Sequence, residues 1–392
     1  MSTKYPGGII KATVTPPTTS SAPGIWTLEQ AAYWIKQGSW PYPPGLWSWG
    51  QNNFGQLGLG DITNRSSPNQ VGALTAWSSI TCGLYSTFAT KTDGTLWSWG
   101  RNNNGQLGLG NITNYSSLKQ VGALTTWSNI TAGAYHSLAV KTDGTLWSWG
   151  QGYFAALGLG NITNYSSPKQ VGALTTWSTI TAGRFYSLAI KTNGTLWSWG
   201  QNNFGQLGLG NTTYYSSPKQ VGTLTNWLNI TAGHYHTLAI KTNGTLWSWG
   251  RNDYGRLGLG NTTYYSSPKQ VGALTTWSKI TAGQYHSLAV KTDGTLWSWG
   301  RNNAGQLGLG NITDYSSPKQ VGALTTWSKI SAGNNASFAV KTDGTFWSWG
   351  QNNYGRLGLG NTTYYSSPKQ VGALTTWLNI AGGAYHTLAT TS

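Results

Sequence analysis

The sequence predicts an all-β protein, a closed seven-bladed β-propeller built from 50-residue repeats. Two observations carry that prediction. The tetrapeptide Trp-Ser-Trp-Gly recurs seven times without slippage, first at Trp47 to Gly50 and last at Trp347 to Gly350, so repeats start at positions 46, 96, 146, 196, 246, 296 and 346. Each unit also carries a hairpin signal, two apolar runs flanking Asp-Gly or Asn-Gly, as in Tyr135 to Val140, Lys141-Thr142-Asp143-Gly144-Thr145 and Leu146 to Trp149. Such turns need positive φ, which Gly, Asn and Asp accept most readily. An unbroken period of this length marks an array of supersecondary units that bury their faces on one another.

Within one unit, the short runs Lys119-Gln-Val121 and Trp127 to Thr131 supply the third and fourth strands beside the hairpin. Four strands per unit make one propeller blade. The order of strands is staggered around the array. It opens on the second hairpin strand and closes on the first, His386 to Thr390, and the Asp-Gly turn is missing there alone. Strand 46–50 is therefore expected to pair with strand 385–390, completing a blade from both chain ends and hiding the edges of an open sheet. Three tryptophans per repeat, such as Trp97, Trp99 and Trp127, are expected to pack blade against blade. The segment Gly105-Gln-Leu-Gly-Leu-Gly110 lacks the following Lys and Ser/Thr of a phosphate loop, and no helix is signalled after it, so its glycines are assigned to close backbone packing.

Composition agrees with this architecture. Of 392 residues, 54 are Gly, 24 Trp and 21 Tyr, which suits short strands and tight turns, and only 8% are charged. With 24 Lys plus Arg against 8 Asp plus Glu, the net charge is +16, favouring anionic surfaces, although two lysines copied into each repeat produce most of it. The single cysteine, Cys82, stands where other repeats carry Ala, excluding an intrachain disulfide framework and predicting a small buried side chain. No charged-then-apolar leader opens the sequence and no apolar run approaches the roughly 18 residues of a membrane span, so no membrane insertion is expected.

Residues 1–45 differ in character. Tyr5 to Gly24 is rich in Pro, Gly, Ser and Thr and reads as an extended arm. Thr27-Leu-Glu-Gln30 matches a capping box, and Leu28, Ala31, Ala32 and Ile35 share one face, predicting a short helix over about 27–37 that Gly38 ends.

The spaced motifs Trp-Gly-x-Asn-x-x-Gly-Gln-Leu-Gly-x-Gly, Ala-Gly-x-x-His-Ser-Leu-Ala and Asp-Gly-x-x-x-x-Trp-Gly, present across residues 46–392, resemble the repeats of the regulator of chromosome condensation family. That resemblance implies a seven-bladed propeller and does not imply one function, since members include a small-GTPase exchange factor that binds chromatin, a UV-B photoreceptor and a β-lactamase inhibitor. All internal repeats here have one length, leaving no room for the exchange factor's wedge. Where the photoreceptor has Gly-Trp-Arg-His-Thr, this chain reads Gly133-Ala-Tyr-His-Ser137 and Gly233-His-Tyr-His-Thr237. The resemblance also implies that His136, His236, His286 and His386, at one repeat position, make a structural hydrogen bond; they are not a metal set. No cofactor and no enzymatic constellation is expected. The N-terminal segment, with Lys-Tyr-Pro-Gly-Gly and Gly-Ile-Trp-Thr-Leu-Glu-Gln, resembles virion structural or tail-associated proteins of marine bacteriophages.

Among near-identical repeats the variable positions stand out, and they are expected on solvated loops. One set runs Phe54, Asn104, Phe154, Phe204, Tyr254, Ala304, Tyr354, with Arg101, Arg251 and Arg301 three residues ahead of its members. A second runs Leu84, Ala134, Arg184, His234, Gln284, Asn334, Ala384, and a third begins at Asn64-Arg65 and Asn114-Tyr115. Repeat three departs most, with Gly152-Tyr-Phe-Ala-Ala156, and adds Tyr153. The candidate recognition rim is thus Phe54, Arg101, Asn104, Tyr153, Phe154, Arg184, Phe204, His234, Arg251, Tyr254, Gln284, Arg301, Asn334 and Tyr354. These features together read as a non-enzymatic binding protein of a phage virion, partnered by other virion proteins through the arm and by host-surface anionic glycans or proteins through the ring. The alternatives are an intracellular protein-interaction scaffold, cytoplasmic in location, and a nucleic-acid or chromatin binder of exchange-factor-like ancestry; nucleic acid is the less favoured partner.

Overall fold

A computed structural model describes residues 45–392. The arm and the helix expected over 27–37 lie outside the described residues. Among the described residues twenty-eight strands form seven four-stranded antiparallel sheets. In one blade the order from channel to periphery is β3 (Trp77–Cys82), β4 (Ser86–Lys91), β5 (Leu96–Gly100) and β6 (Tyr115–Gln120). The hairpin forms in register, Thr90 opposite Leu96 and Ser86 opposite Gly100. The outermost strand begins at Tyr115, ahead of the expected Lys119-Gln-Val121, because none of its side chains is buried and most are polar, leaving little hydrophobic pattern to read.

The seam is where the stagger of the repeats places it. In the closing blade β1 (Leu46–Gly50) lies between β2 (Arg65–Gln70) and β28 (His386–Thr391), and β28 in turn pairs with β27 (Trp377–Gly382). Leu46 faces Thr390 and Gly50 faces His386, so the two chain ends form the same central ladder as every internal hairpin.

Neighbouring blades are joined by one repeated contact. The second tryptophan of each Trp-Ser-Trp-Gly is fully buried and donates its indole N–H to a loop carbonyl of the preceding blade, as in Trp99 to Gln56 O at 2.9 Å and Trp149 to Gln106 O at 2.8 Å. The seam obeys the same rule, with Trp49 bonded to Arg356 O at 2.8 Å. Burying such a ring contributes on the order of 4–6 kcal/mol before entropy, and the N–H is satisfied rather than stranded. The glycine-rich segment is the other half of this contact. Gly108 has φ +75°, and a Cβ there would stand 2.8 Å from the Trp149 indole nitrogen. Those glycines exist to receive the next blade's tryptophan.

The histidines complete the joint. His136 Nε2 meets Ser187 Oγ of the next blade at 2.9 Å, and His386 meets Thr87 across the seam at 2.8 Å. Ser187 Oγ donates to Ala156 O at 2.8 Å, so it receives the imidazole N–H. The serine proton points away from the histidine, the reverse of an activated nucleophile.

Two expectations change. The first tryptophan of the motif, Trp97 and its equivalents beyond the seam copy Trp47, is only half-buried. It still packs on the preceding blade, Trp147 against the cluster of Leu96, Leu107 and Val121, while its outer side carries the hairpin lysine, with Lys141 Nζ 3.8 Å from the Trp147 ring and Lys241 Nζ 3.6 Å from Trp247. The outer-strand lysine likewise lies over a tyrosine, Lys119 over Tyr115 at 5.4 Å. Much of the repeated positive charge is thereby engaged in holding aromatic rings. Cys82 is half-buried, not buried, because it ends an inner strand whose edge faces the channel; its thiol donates to Ala381 O at 3.4 Å.

Candidate functional site

Strand direction sorts the loops onto two faces. The β3–β4 and β5–β6 type connections leave from one end of every blade, and the Asp-Gly turns leave from the other. All the variable positions of the first two sets belong to the first end, called here the upper face. They form concentric rings.

The innermost ring consists of Leu84, Ala134, Arg184, His234, Gln284, Asn334 and Ala384, one from each blade, around a channel-mouth cavity of about 180 Å³. Four successive blades supply the polar members and the remaining three supply Leu or Ala, so the mouth has a polar half and an apolar half. Ala134, Asn334 and Ala384 are buried, contrary to the expectation that the whole set is solvated; small or short side chains there withdraw beneath their larger neighbours. Arg184 donates from Nη1 to Tyr235 Oη at 2.8 Å. His234 is held neutral, its pKa pushed down to about 3 by burial first and then by the charges of Arg184 and Arg256.

Outside this ring lie Tyr85, Tyr135, Phe185, Tyr235, Tyr285 and Tyr385, with Asn335 as the exception. Sequence reasoning missed them because an aromatic in nearly every copy looks like scaffold. All but Tyr135 receive the loop aromatic of the preceding blade: Phe54 on Tyr85 at 5.0 Å, Phe154 on Phe185 at 5.1 Å, Phe204 on Tyr235 at 5.2 Å, Tyr254 on Tyr285 at 5.7 Å and Tyr354 on Tyr385 at 5.9 Å. Tyr85 and Tyr385 stack at 5.3 Å, which carries the ring across the seam. Asn104 and Ala304 lack a ring, and Ala304 is buried at the point where Asn335 also interrupts the aromatic series.

Arginines lie over these pairs. Arg101 covers Phe54 at 5.1 Å, Arg251 covers Phe204 at 4.7 Å and Arg301 covers Tyr254 at 4.9 Å. Two further arginines, Arg256 and Arg356, replace the Gln of Gly-Gln-Leu-Gly, and that replacement was the available sequence signal for them. Both are buried, bonded to Gln284 O at 3.1 Å and Ala384 O at 2.7 Å. Burial lowers their pKa to about 10, which leaves both charged at neutral pH. The ion pairs of these arginines among the described residues all go to one carboxylate, Asp253, reached by Arg251 Nε and by Arg256 Nη2 at 3.4 Å. The face is therefore cationic, rich in π surfaces, and stiffened by edge and stacked ring contacts.

The distinct loop expected in repeat three is present as a 3₁₀ turn, Tyr153–Ala155, in which Phe154 and Ala155 take positive φ and Tyr153 is thrown outward to 53% exposure. Among the described residues no group of three His, Cys, Asp or Glu side chains could hold a metal ion.

The pattern of the Regulator of chromosome condensation (RCC1) repeat matches this chain seven times, at residues 45–90, 93–140, 143–190, 193–240, 243–290, 293–340 and 343–390. The chain belongs to that family. Solved structures similar to this RCC1-repeat propeller include Prp20p from Saccharomyces cerevisiae, at 21% identity and a TM-score of 0.81 over 89% of this chain and 91% of the other. Human WBSCR16 is similar at 20% identity and a TM-score of 0.80, over 89% of this chain and all of the other. At these identities the likeness carries the fold. No curated protein matches the chain. No helix among the described residues is long and apolar enough to cross a membrane.

Proposed function

We propose that this RCC1-repeat propeller is a protein-binding module that engages its partner through the upper face. One observation carries the reading: in repeats otherwise almost identical, the variable positions of the loop sets lie on the upper face and build there an arginine and aromatic surface, broken only at Asn104, Ala304 and Asn335. Tyr and Arg are the side chains that most often dominate binding energy, and stacking prepays their ordering. A partner surface with carboxylates beside apolar groups fits this chemistry. Yeast Prp20 has been described in terms of binding to Gsp1p and histones and in complex with Kap60, so a propeller of this family can serve as a protein-binding platform.

Charge reversal separates the upper face from the periphery of the ring. Arg101→Glu with Arg301→Glu is expected to weaken partner retention on an affinity column by at least about tenfold, or 1.4 kcal/mol, while Lys119→Glu with Lys319→Glu on the outer strands leaves it unchanged. Equal losses in both variants would overturn the assignment of the face. Duplex DNA, tested alongside, distinguishes the nucleic-acid alternative, since that reading requires affinity that falls steeply with salt.

A virion location is a separate reading supported by the arm's resemblance alone. A chain lacking residues 1–45 is expected to fold as a ring yet be absent from purified particles; undiminished incorporation counts against it.

A further inference from the structure

The other end of the channel concentrates its charge on two adjacent blades. The inner-strand position two residues after the blade tryptophan reads Ser79, Asn129, Thr179, Asn229, Lys279, Lys329 and Asn379 around the ring. Lysine occurs there in two blades only, and those blades are neighbours. Both side chains are exposed to a lower-mouth cavity of about 370 Å³. No carboxylate lines that cavity; Asn229, Asn379 and Ser79 flank the lysines, and isoleucines such as Ile280 and Ile330 form the rest of its wall.

We propose that this lower mouth is a binding site for a tetrahedral oxyanion, phosphate or a phosphomonoester, held between Lys279 and Lys329. Each ammonium is tethered to the following blade, Lys279 to Ser328 O, and Lys329 to Leu378 O and to Asn379 Oδ1 at 3.1 Å. An ammonium has three donors, so two remain on Lys279 and one on Lys329 after these bonds. The tethers fix where the charges stand and leave donors for a ligand. Two like charges one blade apart with no counter-charge raise each other's cost, and the pKa of Lys329 is lowered by burial and then by Lys279. A bound anion removes that cost. Phosphate suits the donors because its oxygens point in several directions, toward ammoniums on two blades and toward the Asn and Ser side chains, whereas a carboxylate presents two oxygens in one plane. The hairpin lysines Lys141 and Lys241 cannot serve in the same way, since their ammoniums lie over tryptophan rings. The site is independent of the upper face.

Phosphorus NMR on the full chain tests this directly. Inorganic phosphate, and in a second arm phosphoserine as the phosphomonoester, is titrated with the protein at low salt. Saturable broadening of the phosphorus line is expected, weakened at least about tenfold in the double variant Lys279→Asn with Lys329→Asn. Asparagine already occupies this position at Asn129, Asn229 and Asn379, so the variant keeps the fold, and an unchanged melting temperature confirms that. Binding of phosphoserine but not of phosphate assigns the site to a phosphorylated partner, and binding of both assigns it to the free ion as well. Equal broadening in the parent and the variant, or no saturable binding of either probe, overturns the proposal.

Discussion

Ending the chain at Tyr385, which removes β28, is expected to abolish cooperative folding of the ring rather than loosen one blade. β28 is the second strand of the seam blade, with ladders to both β1 and β27, so its loss strips partners from both chain ends at once. Leu388 and Ala389 are fully buried, and His386 and Thr387 carry the seam hydrogen bonds to Thr87 Oγ1 and to Arg356 O. At about 2–3 kcal/mol for the leucine and about 1 kcal/mol for each lost hydrogen bond, the deletion removes on the order of 10 kcal/mol. That matches the whole net stability of a typical domain, about 5–15 kcal/mol. Open sheet edges would also be exposed at both ends. Tryptophan fluorescence and far-UV dichroism during urea unfolding check this, and a single sharp transition near that of the parent would contradict it. The converse variant is a circular permutant. Replacing residues 1–45 and Ser392 by a Thr-Asp-Gly-Thr turn that joins Thr391 to Leu46, and reopening the chain between Asp143 and Gly144, is expected to keep a cooperative transition, because the seam ladder is equivalent to the other six.

The second large effect is acid sensitivity. His136, His286 and His386 are buried without charge, and burial pushes their pKa values down to about 4, about 3 and about 3, while His236 is also driven well below its ordinary value. Above pH 6.5 neither the folded nor the unfolded chain binds these protons, and the burial costs nothing. Between 6.5 and the folded pKa values the unfolded chain takes up protons that the folded chain refuses, so stability falls as pH falls. At pH 5 each of the first three has lost about 2 kcal/mol, on the order of 6 kcal/mol together, and His236 and His234 add to the loss in the same direction. The ring is therefore expected to unfold between about pH 5 and pH 4. The hairpin aspartates, whose pKa is lowered by hydrogen bonds from residues such as Thr145, add to the loss only below the ordinary carboxylate range. Urea midpoints measured from pH 7.5 to pH 4.5 give the slope. His136→Ala, which copies what the chain already carries at Ala336, should reduce that slope by one proton while lowering stability at pH 7.5 through the lost bond to Ser187. A flat profile, or a slope unchanged in the variant, removes the histidines as its cause.

Much of the ring was legible in the order of residues. The missing turn after Thr390 located the seam because a hairpin leaves a local mark, and the strand left over at one chain end matches the one left over at the other. The outer strand was less legible at Tyr115 because a solvated edge strand has no apolar alternation to detect. The arginine and aromatic surface of the upper face was half legible. Variation picked out Phe54, Arg184 and Arg301, but Tyr85 and Tyr385 were hidden by being aromatic in nearly every copy, and Arg256 was hidden inside a motif assigned to packing.

By itself the sequence determined the blade count, the hairpins and the stagger, since each depends on turn chemistry and on a repeated apolar pattern within some 50 neighbouring residues. Tertiary structure alone decided that Phe54 meets Tyr85, that Trp149 bonds Gln106 O, and that Lys279 and Lys329 share one channel mouth. These contacts join residues of different blades, and their partners follow from how one blade stacks on the next, which no local spacing encodes.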